Sequence, residues 1–231
     1  MAQRRVSRSR PPSNALRREA PADTAVRARR IVAALRRAYP DAECALHHTN
    51  TLELLVATIL SAQCTDERVN QVTPALFSRF PDAAALARAD EREVEEYVRP
   101  TGFFRNKSRA LVGLGRALVE RHGGQVPDRM EDLVQLPGVG RKTANVVLGT
   151  WFGQPAIAVD THVTRVANRL ALTREPDPVK IETDLGRLLP ESQWTFLSHA
   201  LIWHGRRVCA ARRPACDTCV LRPDCPFPGS V

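Results

Sequence analysis

Three groups of residues in this chain have the types and spacing to do chemistry. The first is the string Leu136-Pro-Gly-Val-Gly-Arg-Lys-Thr-Ala144. Gly138 and Gly140, either side of Val139, permit a sharp turn and leave room for backbone amides to approach a phosphate oxygen. The helix expected to follow would present its positive end there, with Arg141 and Lys142 in its first turn. An ordinary helix–helix corner also uses glycines, but the complete string with its basic pair is far more specific than a scattered glycine pattern. The second group is Ala158-Val-Asp-Thr-His162, which sets Asp160 18 residues after Lys142. Asp160 suits a helix N-cap, and a carboxylate in that role can also help deprotonate an amine and stabilise developing positive charge. The third is Cys209, Cys216, Cys219 and Cys225, spaced C-x6-C-x2-C-x5-C with no histidine between them.

Lys142 carries more information than its position. Of 34 basic residues only Lys107, Lys142 and Lys180 are lysines, so the background favours arginine. Contact with a phosphate is served by either residue. Covalent chemistry is not, because a Schiff base needs an amine that can lose its proton and a guanidinium effectively never does. That supports a nucleophile, while the reading of a first-turn lysine as an ordinary surface residue stays open on composition alone. Four thiols within 17 residues point to a metal site in a reducing compartment, and their spacing alone leaves a structural zinc and a [4Fe-4S] cluster both open. Cys44 and Cys64 stand apart and read as small core hydrophobes.

These groups must be held by helices. Apolar residues recur at helical period in Ile31, Val32, Leu35 and Tyr39; Leu111, Leu114, Leu118 and Val119; Val163, Val166 and Leu170; and Ile181, Leu185, Leu188 and Leu189. No stretch alternates as a strand. Asp90 with Glu93, Asp128 with Glu131, and Asp177 before Pro178 are spaced as start signals, while Gly123-Gly124 and Gly153 are stops. Leu52 to Gln63 is apolar nearly all round, as suits a helix at the centre of a bundle. Pro74 makes its segment ambiguous, with two short helices meeting at Thr73-Pro74 as one reading. The Gly-rich string reads as helix, hairpin, helix, with the first helix ending near Gln135 and the second running to Phe152. The fold class is all-α, in one compact or two closely joined lobes.

The formal charge of +9, from 34 Lys and Arg against 25 Asp and Glu, favours a polyanionic partner, nucleic acid first. No apolar run reaches the roughly 18 residues of a membrane span, so no membrane partner is expected. Residues 1–22, with six Arg and Pro11, Pro12 and Pro21, read as a basic disordered tail suited to tracking phosphates rather than as a transit peptide.

At this point the chain resembles the endonuclease III family of DNA glycosylases. The helix-hairpin-helix string, the Val-Asp-Thr-His segment and the cysteine spacing follow that family's order over about residues 25–227. The resemblance implies a two-lobed fold, with a six-helix lobe at 45–154 and a cluster lobe from 23–44 and 155–231. It implies Lys142 as catalytic lysine, Asp160 as catalytic aspartate, and a [4Fe-4S] cluster on the four cysteines. Gln63, in Ser61-Ala-Gln-Cys-Thr-Asp66, would fill the gap left by an extruded nucleotide, and Phe103, in Gly102-Phe-Phe-Arg-Asn-Lys107, would wedge the duplex. Gly138, Val139, Gly140 and Arg141 would contact the DNA backbone. The implied activity is excision of oxidised pyrimidines from double-stranded DNA, with strand cleavage at abasic sites by elimination, by a monomer in bacterial cytoplasm. An adenine glycosylase relative lacks a lysine at position 142, and a non-catalytic DNA-binding or redox module gives no reason to choose lysine over arginine there.

Overall fold

The computed structural model describes residues 20–227. The expected tail falls mostly on residues 1–19, outside them, while Pro21 opens the first helix in its preferred first-turn position. Among the described residues there is no β-strand, and eleven α-helices follow in order. They are α1 (Pro21–Ala38), α2 (Thr51–Leu60), α3 (Asp66–Arg79), α4 (Ala83–Arg88), α5 (Glu91–Val98), α6 (Phe104–His122), α7 (Met130–Leu133), α8 (Arg141–Thr150), α9 (Thr161–Arg169), α10 (Pro178–Leu188) and α11 (Trp194–Arg207).

Two apolar cores organise them. One runs from Leu46 to Ala158 and is built on α2, in which every residue from Leu54 to Leu60 is buried. That helix is started by Asn50, whose side chain accepts from the Glu53 amide at 2.9 Å, while Glu53 accepts in turn from Thr49 N–H at 2.6 Å. Around it pack α3 to α8, of which α7 is a single turn of four residues. Gly115 lets α4 and α6 touch backbone to backbone, since a Cβ there would lie 2.6 Å from the Ala87 amide nitrogen.

The second core joins α1 to α9, α10 and α11, from Ala28 through Leu221. The chain crosses between the cores as an extended strap, and there successive side chains point opposite ways. Ala156 and Ala158 enter the first core, Ile157 and Val159 the second. No strand pairs with the strap. Its carbonyls are taken instead by Asn145 Nδ2 on Ile157 O and Ser198 Oγ on Ala158 O, both at 2.9 Å. An alternation two residues long per face is too short to be read as a strand from sequence.

Two expectations need correction. Pro74 lies inside one continuous α3 and does not divide two helices; Thr65 caps its start, and buried Val69, Val72 and Leu76 hold its inner face across the proline. The helix expected after Asp128 starts one residue later, behind Arg129 with no side-chain cap.

Candidate active site

The hairpin is built from short backbone bonds. Leu136 N–H donates to Leu133 O and Val139 N–H to Leu136 O, both at 3.1 Å. Leu136 and Val139 turn their side chains into the core, so Val139 anchors the turn instead of facing outward. Gly138 adopts φ +78°, and a Cβ there would stand 3.0 Å from the Ala110 Cβ. Gly140 precedes α8 without a side-chain cap, and among the described residues neither glycine amide has a backbone partner. These amides and the first turn of α8 form a surface with unspent donors and a positive dipole end, the arrangement that binds an anion. Arg141 does not stand free beside them. Its guanidinium grips Glu182 of α10 in two bonds of 2.8 Å, which hold it firmly protonated and tie the hairpin to the second core.

Lys142, the next residue, is exposed and reaches over a cleft between the two cores. An open volume of about 820 Å³ is lined there by Lys142, Asp160, Gln63, His162, Arg165 and Arg206. A narrower recess continues inward past Lys142 and Asp160 to Cys44, His199 and Trp203. Asp160 is brought to this edge by the strap and caps α9, its Oδ1 accepting from the amides of His162 and Val163 at 2.8 Å. Its second oxygen meets His162 Nδ1 at 2.9 Å. The carboxylate is thus fixed in place with both oxygens engaged, lining the same two cavities as the exposed Lys142.

Sequence reasoning missed several neighbours of this pair. His162 could have been suspected, because an N-cap carboxylate and a ring two residues on share one edge of the first turn. His199 and the Arg206–Asp66 ion pair, 2.6 Å across the cleft, come from α11 and α3, which are distant in sequence. Burial lowers the His199 imidazole to about 4, with the positive charge of Lys142 adding to the effect, so the ring is neutral near pH 7. Cys44 is half-buried against the first core, and burial raises its thiol above the ordinary value. This suits an inert side chain better than a reactive one.

Gln63 lines the cleft directly after α2 with φ +53°. Phe103 caps α6 with φ +48° and is 61% exposed, away from the cleft lining. A large apolar side chain in a left-handed conformation and exposed to solvent is not explained by core packing.

The four cysteines gather under α9 and α11 around one hollow walled by Val166, Leu221 and Phe227. Burial raises the thiols of Cys219 and Cys225, and the other sulfurs raise them further. Four thiols gathered in one hollow are a donor set of the kind that holds a metal once deprotonated. Arg169 Nη1 stands 3.2 Å from Cys209 Sγ, and His204 Nε2 3.5 Å from Cys219 Sγ. Among the described residues no group of three or more metal-ligating side chains converges as a site for an ion, and the four cysteines share the lining of the one hollow. No described helix is long and apolar enough to cross a membrane.

The family model for HhH-GPD superfamily base excision DNA repair proteins matches residues 56–191. Endonuclease III of Synechocystis sp. is 55% identical over 201 residues, which cover 87% of this chain and 92% of that protein. A solved non-covalent endonuclease III–DNA complex superposes with a TM-score of 0.85 at 41% identity, over 88% of this chain and 95% of the other. A trapped endonuclease III–DNA covalent intermediate gives 0.85 at 40% identity, over 88% and 96%. The chain therefore belongs to the HhH-GPD superfamily of base excision DNA repair proteins, and within it to the endonuclease III family.

Proposed function

We propose that this chain is a bifunctional DNA glycosylase and abasic-site lyase acting, as a monomer, on oxidised pyrimidines in duplex DNA. The observation that carries the proposal is the exposed amine of Lys142 facing the same cleft as the fixed carboxylate of Asp160. Once deprotonated, Lys142 Nζ attacks C1' of the damaged nucleoside, and the bond to the base breaks with the base leaving as its anion or conjugate acid. The C1'–O4' bond then breaks, O4' taking up the second proton that Nζ sheds, to give the ring-opened imine; transfer of a C2' proton to water or a basic group breaks the C3'–O3' bond and releases the 3' phosphate by β-elimination. Asp160 faces the positive charge that builds on the sugar, and its position beside the amine suits it to receive the proton that Lys142 must lose. Relatives bearing the same family name have been solved with DNA, one of them covalently linked to it.

The remaining groups have roles in binding. The amides of Gly138 and Gly140 take a phosphate, with Val139 holding their turn, and Arg141 adds a contact if it leaves Glu182. Gln63 fills the space of the extruded nucleotide with an amide that can both donate and accept, and Phe103 props the opened stack. Two lobes, the hairpin lobe over about 45–154 and the cluster lobe over 23–44 and 155–231, flank the DNA. Cys209, Cys216, Cys219 and Cys225 would hold a [4Fe-4S] cluster, which when bound supplies rigidity to the basic loop around it. The Synechocystis relative is bacterial, which supports a cytoplasmic site of action.

Borohydride trapping on a duplex with one thymine glycol tests the proposal. A covalent adduct from the native protein that disappears in Lys142→Gln is expected. No adduct from native protein that still binds the duplex would overturn it.

A further inference from the structure

Lys107 is one of three lysines in a chain with 31 arginines, and it is almost wholly buried, at 5% exposure. Its partners are oxygens, none of them from a carboxylate. Nζ donates to Leu60 O at 2.8 Å, to Thr101 O at 2.8 Å and to Thr101 Oγ1 at 3.4 Å. Leu60 is the last residue of α2, so its carbonyl belongs to the negative end of that helix and has no amide of the helix to pair with. Thr101 ends the short turn Arg99–Thr101 that leads into α6. A buried ammonium without a counter-ion is costly and is retained only where its geometry is needed.

The two acceptors have one thing in common. Three residues after Leu60 comes Gln63, and two residues after Thr101 comes Phe103, both held at positive φ. The backbone of Lys107 completes the link, its N–H donating to Phe103 O at 3.1 Å. One side chain therefore fixes the distance between the roots of two segments that, among the described residues, are joined by no other hydrogen bond. Three donors on a single tetrahedral nitrogen can meet three oxygens converging at a buried point; a planar guanidinium, larger and fork-shaped, cannot. The choice of lysine in an arginine-rich chain has a physical reason here, different from the one at Lys142.

We propose that Lys107 is a positioning residue that sets the spacing of Gln63 and Phe103, so that plug and wedge enter the duplex together. This rests on the reading of those two residues as the ones that enter DNA. Single-turnover excision from a thymine glycol duplex should fall by on the order of a hundredfold in Lys107→Met, the cost of a misplacement near 1 Å. Borohydride trapping on a single-stranded abasic oligonucleotide, where no nucleotide has to be extruded, should stay within about twofold of native. In a Gln63→Ala, Phe103→Ala background the added Lys107→Met should cost little more, since the groups it positions are gone. Equal loss on both substrates, or losses that multiply in the combined variant, would overturn the proposal. Native protein that forms no adduct on either substrate would instead overturn the glycosylase reading itself. If Lys107→Met does not fold, Thr101→Val, which removes the 3.4 Å contact together with the hydroxyl's own 2.8 Å bond to Val98 O, replaces it; a loss of about threefold on the duplex alone is expected, and no selective loss counts against the idea.

Discussion

The hairpin and the cysteine loop are the two regions whose residue spacing is most distinctive, yet they are held in opposite ways. The hairpin depends on its own neighbours: its bonds span three residues, and its two apolar side chains anchor it on the core. The cysteine loop has one fully buried residue, Leu221, and is gripped by arginines remote in sequence. Arg165 donates to Gly205 O at 2.9 Å and Cys209 O at 3.1 Å. Arg169 donates to Ala210 O at 2.7 Å and Ala211 O at 2.9 Å. Arg27 reaches Asp224 O at 3.2 Å, and Arg30 its carboxylate at 2.6 Å. A local code builds the first region, whereas the second needs the rest of the fold and, on the present proposal, a cluster.

The largest expected consequence lies in the loop. Arg169→Met leaves the carbonyls of Ala210 and Ala211 without their charged donor, a loss of about 2–3 kcal/mol. Hydrogen exchange should then rise over residues 209–227 and iron should be lost faster, while exchange in α2 and the hairpin is unchanged. Uniform loosening of both regions would show that the loop and the first core are one cooperative unit.

The same contrast explains what could be read from the sequence. The all-helical class, the α2 core helix, the Asp177–Pro178 start and the hairpin are set by contacts within a few residues, and periodicity and capping rules see those. Lys142 stood out through composition, and the four cysteines through spacing. The Asp160–His162 contact, the Arg206–Asp66 pair and the three-oxygen seat of Lys107 join segments 2, 140 and up to 47 residues apart. For the last two, no local pattern encodes the meeting. The strap at 156–159 escaped for a related reason: it serves two cores at once and alternates for too few residues to be recognised. Pro74 was misjudged because local chemistry disfavours what tertiary packing enforces.

A change within the hairpin should be smaller and of a different kind. Gly138→Ala must adopt φ +78° with a side chain and push against Ala110, at a cost of about 1–2 kcal/mol. Because the glycine amide is a proposed phosphate donor, duplex affinity should fall along with melting temperature. Imine formation at saturating DNA should remain near native, since Lys142 lies beyond the turn in α8. Loss of imine formation at saturation would mean that the turn also aims the amine.

The smallest effect concerns the tie between the two lobes. The Arg141–Glu182 bridge is bidentate but half-exposed on the arginine side, so it stabilises the fold by no more than about 1 kcal/mol. On binding, Arg141 has a choice between that carboxylate and a phosphate. If it changes partner, Glu182→Gln makes the exchange easier and tightens duplex binding by up to about fivefold, the equivalent of that bridge. Arg141→Ala then removes one phosphate contact and lowers the slope of log affinity against log salt by about 0.9. An unchanged slope would mean that Arg141 keeps Glu182 throughout. In that case the hairpin binds phosphate through backbone amides alone, and its arginine belongs, like those around the cysteines, to the set that joins distant parts of the chain.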